Sequence, residues 1–131
     1  MTEPVVVQPV LMKDVGDCGI CCLAMLLGVE YAAIVQAIPK RNRKKAQSDG
    51  LTIIQMCNVA KVFLTQLEYH DEPEEDAVGI LFLERTVGED AHAVMYMKGV
   101  LFHPGDGTIW TDMDAYLKRY NWKMEGFLWR K

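Results

Sequence analysis

The spacing of apolar residues changes period along the chain. The run Cys18-Gly19-Ile20-Cys21-Cys22-Leu23-Ala24-Met25-Leu26-Leu27-Gly28 is apolar nearly all round, which predicts a central, buried helix. Asp17 before it is a good N-cap, and Gly28 a good C-terminal stop. Met1 to Val15, with Pro4 and Pro9, reads as an extended lead-in. Glu30 to Ile38 predicts a short helix ended by Pro39, and Lys40 to Gly50 a polar, basic loop. Thr52 and Gln55 form a capping box, after which Ile53, Met56, Cys57, Ala60 and Leu64 recur at helical spacing and predict one buried stripe.

Beyond that helix the period becomes two. Gln66 to His70 and Ala77 to Leu83 read as strands on either side of the acidic loop Asp71 to Asp76. Ala91 to Met97 and Val100 to His103 predict a hairpin around Lys98-Gly99. Thr108 to Trp110 reads as a further short strand. Thr111 caps a helix to about Tyr120, with Asp114 in its first turn, and Lys123 to Trp129 is the last strand. Helices followed by a run of strands is an α+β pattern.

Length and composition narrow the function classes. The 131 residues suit a single domain, 1–131, and half of them are hydrophobic, so a core can be buried. A net charge of −4 argues against nucleic acid as the main partner, since phosphate binding needs a dense basic face. The first residues lack a basic secretory n-region, and the longest apolar run, Gly19 to Val29, is too short for a bilayer. The expectation is a soluble cytoplasmic protein with no membrane partner. Three of the four cysteines fall within little more than one helical turn, unlike a disulfide framework.

That clustering leaves Cys18 as the candidate for chemistry. A thiol in the first turn of a helix meets unpaired backbone N–H groups and the positive end of the dipole, both of which favour the thiolate. The same N–H groups can hold an oxyanion, and Gly19 allows close approach of a substrate backbone. Cys18 equally fits as a small core residue. Cys21, Cys22 and Cys57 lie inside helices on apolar stretches and read as core filling.

The predicted hairpin adds two histidines. With a two-residue turn at Lys98-Gly99, Met97 faces Val100, Tyr96 faces Leu101, Met95 faces Phe102 and Val94 faces His103. His92, Val94, Tyr96 and His103 then share one face. His92 and His103 become diagonal neighbours, roughly 5–8 Å apart at the backbone. Asp106 falls on the opposite face unless Pro104 breaks the register. His70, at a strand end beside acidic residues, reads as a surface residue.

These segments resemble a known family. Asp17-Cys18-Gly19, with Cys22-Leu23-Ala24-Met25-Leu26 after it, is similar to the active-site helix of the bacteriocin-processing (double-glycine leader) peptidases, papain-like domains of bacterial peptide exporters. Ala91-His92-Ala93-Val94-Met95-Tyr96 and Leu101-Phe102-His103-Pro104 with Gly107 resemble that family's histidine strand and the strand after it. Gly50-Leu51 and the following helix also match in kind. The resemblance covers about Val10 to Trp129.

The resemblance implies a papain-like fold, in which a helical half bearing the nucleophile Cys18 packs on an antiparallel sheet bearing the base His92. It implies a peptide or protein substrate, and neither a metal nor a cofactor. Two positions depart from the family. His103 stands where the family has an aspartate that orients the histidine. Met12 stands where it has an oxyanion-donating glutamine, for which Gln8 is the nearby substitute. Asp106 is the fallback orienting residue, and Asp17 and Gly19 complete the cleft. The main reading is a stand-alone thiol hydrolase of peptide or isopeptide bonds. The alternative is a weakened pseudo-peptidase that holds a peptide in its cleft. Cys18-Gly19-Ile20-Cys21 also mimics a redox motif, but it lacks the strand–helix–strand opening of thioredoxin-like folds. A zinc site lacks a second paired ligand motif.

Overall fold

The computed structural model describes residues 11–12, 16–85 and 91–130. It has an α+β architecture: helices α1 (Cys18–Leu27), α2 (Tyr31–Ala37), α3 (Arg43–Asp49) and α4 (Ile53–Val62) precede the strands, and α5 (Met113–Tyr120) interrupts them. The strands β1 (Leu67–His70), β2 (Val78–Arg85), β3 (Ala91–Met97), β4 (Val100–His103), β5 (Thr108–Trp110) and β6 (Trp122–Arg130) form one sheet in the order β1-β6-β2-β3-β4-β5. Every neighbouring pair is antiparallel.

Each face of the sheet is covered. Ile80, Ala93, Met95, Phe102 and Leu128 point to α1, α2 and α4, and join Ile20, Leu23, Ile34, Met56 and Ala60 in one core. The alternate residues Leu81, Leu83, Val94, Tyr96, Leu101 and Phe127 meet Tyr116 of α5 and Trp122 in a second core. Period-two alternation therefore serves two apolar faces, which is why β2 reads as a continuous apolar run.

The central helix forms as expected. Ile20 to Leu26 are buried, and Gly28 stops the helix in the left-handed conformation at φ 66°. Beyond it, the Arg130 guanidinium donates to the Leu26 carbonyl, tying the last strand to the end of α1. Asp17 stands at the N-cap position but makes no capping bond. The capping box is present: Gln55 N–H donates to Thr52 Oγ1 at 3.1 Å, and Thr52 N–H to Gln55 Oε1 at 2.9 Å. The hairpin takes the expected register, with Met97 opposite Val100, Tyr96 opposite Leu101 and Met95 opposite Phe102. Lys98 and Gly99 both have positive φ, 49° and 89°, as a two-residue hairpin turn of matching twist requires.

Four local expectations are corrected. Residues 40–50 are not a loop, since a 3₁₀ turn at Lys40–Asn42 leads into α3. Leu64 does not extend the buried stripe of α4; it lies past the helix end with φ 57° and is 96% exposed. Asp112 rather than Thr111 caps α5, accepting from Ala115 N–H at 3.1 Å. His70 is half-buried rather than a plain surface residue, and packs on Trp129 with ring centroids 5.2 Å apart. Among the described residues, no single helix is long and apolar enough to cross a membrane.

Candidate active site

A cavity of about 130 Å³ opens between the head of α1, the start of α4 and the sheet. Cys18, Gly19, His92, Ala93, Phe82 and Met56 are among its lining residues. Gly16, Gly50 and Leu51 complete one side, on the chain that enters α1 and the chain that enters α4. Gly16 has to be glycine: a Cβ there would come within 2.0 Å of the Ser48 carbonyl oxygen, where α3 backs the cavity.

Cys18 is half-buried at the first position of α1. Backbone hydrogen bonding to the Ala93 and Gly19 amides favours its thiolate, and Ala93 is the residue next to His92. Burial outweighs those bonds and raises the thiol above its ordinary range, and the neighbouring Asp17 charge adds to the rise. The expectation that the helix head would lower this pKa is thus reversed. Loss of water around a buried anion exceeds what a few dipoles return. Cys21 and Cys22 are fully buried, as expected of core residues, while Cys57 is half-buried at the edge of the first core.

Gly19 lines the cavity and also packs inside the fold. It is buried, and the space left by its missing Cβ faces Met56 Cε at 3.2 Å and Leu51 Cβ at 3.7 Å. It serves close packing of α1 on the chain around α4 as well as the cavity wall. Asp17 is completely buried, and its Oδ2 accepts a hydrogen bond from the Tyr31 hydroxyl at 2.7 Å. Gln47 of α3 donates to that hydroxyl at 3.4 Å. The acidic side chain before Cys18 therefore ties α1 to α2 and α3.

His92 sits near the start of β3, on the face it shares with Val94 and Tyr96, the face covered by α5. The adjacent Ala93 points to α1. The two faces come together at the cavity, which both Cys18 and His92 line. His92 and His103 do meet, as their shared face predicts, with ring centroids 4.7 Å apart. His92 also stacks on Trp122, centroids 5.6 Å apart and planes 13° from parallel.

His103 is held by α5. Its Nδ1 lies 2.6 Å from the Tyr116 hydroxyl, and its ring stacks on Tyr120 at 5.3 Å and 6°. Burial lowers its pKa, with Asp106 partly opposing the drop. Asp106 is an exposed turn residue. It accepts from Thr108 N–H and Oγ1 at 2.9 and 2.6 Å and from the Tyr120 hydroxyl at 3.3 Å, so it reaches His103 through Tyr120. Burial is the largest single influence and raises its pKa, but the bonds from Thr108, the charge of His103 and the bond from Tyr120 together hold the carboxyl below the usual range.

Met12 is half-buried against the first core, and its N–H donates to the Pro104 carbonyl at 3.1 Å, beside His103. Its side chain offers no donor. Gln8 lies outside the described residues. Sequence reasoning missed Trp122, Tyr116 and Tyr120. Their aromatic character on a predicted strand and helix was visible, but not that α5 would cover the histidine face.

Among the described residues, no group of three or more His, Cys, Asp or Glu side chains is placed to hold a metal ion. No protein-family model matches this chain, and a comparison with curated proteins finds no match.

Proposed function

We propose that the chain is a papain-like cysteine hydrolase acting on peptide or isopeptide bonds, with Cys18 as nucleophile and His92 as base. The observation that carries this reading is that Cys18, at the head of α1, and His92, on β3, line one cavity. With its pKa raised, Cys18 rests as a thiol. His92 takes the thiol proton as the sulfur attacks the substrate carbonyl. The N–H groups at the head of α1 stabilise the oxyanion. The C–N bond then breaks, His92 delivers the proton to the departing amine, and water hydrolyses the thioester to restore the thiol. The four free cysteines accord with a reducing, cytoplasmic setting.

A second reading is a cleft that binds a peptide without cleaving it. Two observations favour it: burial disfavours the Cys18 thiolate, and Met12 supplies no oxyanion donor. A peptidyl electrophile with peptide mapping separates the two. The hydrolase reading expects modification at Cys18, abolished in Cys18→Ala and slowed about 10²-fold or more in His92→Ala. Equal modification of Cys57, or no effect of His92→Ala, leaves only the binding reading.

A further inference from the structure

Tyr116 takes no part in the chemistry above, yet it is a fully buried tyrosine whose hydroxyl meets the second histidine of the site. Among the described residues that hydroxyl has one hydrogen-bond partner, Nδ1 of His103 at 2.6 Å. A phenol carries one proton to donate, and a buried donor without an acceptor costs more than the bond returns. If Nδ1 carried a proton, N–H and O–H would face each other and the hydroxyl would lose its acceptor. The arrangement is satisfied when Nδ1 is bare and the His103 proton sits on Nε2.

We propose that Tyr116 is a positioning residue for His92: its hydroxyl fixes His103 as the neutral Nε2–H tautomer, and the fixed ring sets the orientation and charge environment of His92. The proposal rests on the hydrolase reading for its purpose, but its physical content concerns the three side chains alone. The His92 ring contacts His103 at 4.7 Å and Trp122 at 5.6 Å, so a His103 ring that turns, or gains a proton, is felt by His92 directly. Among the described residues, the titratable groups that face His103 are Tyr116 and Tyr120 from α5, His92 from β3 and Asp106 from the turn after β4. Burial pushes the Tyr116 phenol well up, so it keeps its proton throughout the range in which histidines titrate. A donor held against Nδ1 opposes protonation there, which agrees in direction with the lowered pKa of His103.

The test is nitrogen NMR of the histidine rings in the full chain and in Tyr116→Phe, which keeps the buried ring and removes only the hydroxyl. In the unaltered protein the expected result is His103 with the proton on Nε2. In Tyr116→Phe the His103 midpoint should rise by about one pH unit, its tautomer should become mixed, and the His92 titration should move with it. A proton on Nδ1 of His103 in the unaltered protein overturns the proposal without need of any variant. A shifted His103 with an unmoved His92 overturns the positioning role. Inertness of Cys18 toward electrophiles, with the two histidines still coupled, removes the hydrolase reading and leaves the Tyr116–His103 assignment standing.

Discussion

The indole of Trp122 and the imidazole of His92 lie nearly parallel, with centroids 5.6 Å apart and planes 13° from each other. Trp122 opens β6 opposite Arg85 of β2, while Leu83 of β2 pairs with His92 of β3. The stack thus spans three adjacent strands. Trp122→Ala should cost about 3–5 kcal/mol of stability through the cavity it leaves. It should also free the His92 ring and slow Cys18 alkylation, whereas Trp122→Phe, which can still stack, should retain most of both. Urea melts and alkylation rates measured on the same samples check this. Equal alkylation rates in the Ala and Phe variants would show that the stack does not position His92.

What could be read from the chain, and what could not, follows from the range of the interactions involved. The hairpin register, the Thr52–Gln55 box and the Gly28 stop are written in a few adjacent residues, and each appears where the local chemistry puts it. The meeting of His92 and His103 follows from that register alone. α3 was not legible because its residues Arg43 to Asp49 are polar except for Ala46, its one buried residue. Its place is set by contact with Gly16, outside the helix. The insertion of β6 between β1 and β2 is a long-range pairing without local signature. Tyr116 reaches His103 only because α5 covers the second face of the sheet, and Trp122 reaches His92 through the pairing of β6, β2 and β3. The direction of the Cys18 shift was misread because burial depends on the whole fold, whereas the helix dipole is visible locally.

Asp17 and Cys18 are linked electrostatically. The Asp17 charge helps raise the Cys18 pKa, while its carboxylate accepts from Tyr31. Asp17→Asn removes the charge and keeps an oxygen for Tyr31. The thiolate should become easier to form, and a shift of about half a pH unit corresponds to a gain of about threefold in alkylation rate at neutral pH. Tyr31→Phe, by contrast, leaves a buried carboxylate short of one donor and should cost about 1–3 kcal/mol. Alkylation rates against pH for the first variant, and urea melts for the second, read these effects. A slower Cys18 in Asp17→Asn would contradict the charge argument.

His103 gives the fold a pH dependence. Burial lowers its pKa in the folded chain, so the unfolded chain binds the proton more tightly. The stability it contributes is therefore complete above the ordinary histidine value of about 6.5 and falls as pH drops from there through the lower folded value. His103→Gln should flatten that slope between about pH 7 and 5. Asp106, held low by Thr108 and Tyr120, loses its contribution only below about pH 4, so the two windows separate. Urea midpoints measured at several pH values decide the matter. An unchanged slope in His103→Gln would assign the dependence to another group.

His103→Asp tests the meaning of the departure at this position. His103 stacks on Tyr120 and meets His92 at a tilt, with its Nδ1 against the Tyr116 hydroxyl. A carboxylate there would accept from Tyr116 and place a negative charge beside His92, where the present ring is neutral. A nearby opposite charge favours the protonated imidazole, so the His92 midpoint should rise, by about one pH unit at this separation and partial burial. The imidazolium in turn favours the Cys18 thiolate. Alkylation at neutral pH should then quicken, against the burial that now keeps the thiol protonated. His103→Ala should do the reverse: His92 loses a packing neighbour, gains no charge, and Cys18 reacts more slowly. Because either variant gives up the stack on Tyr120, melts must first show the fold retained. Histidine NMR titration and the pH profile of Cys18 alkylation are the readouts. If neither substitution moves the His92 titration, the two rings do not communicate in function. The orienting role would then pass to Asp106, which reaches this cluster through the Tyr120 hydroxyl at 3.3 Å.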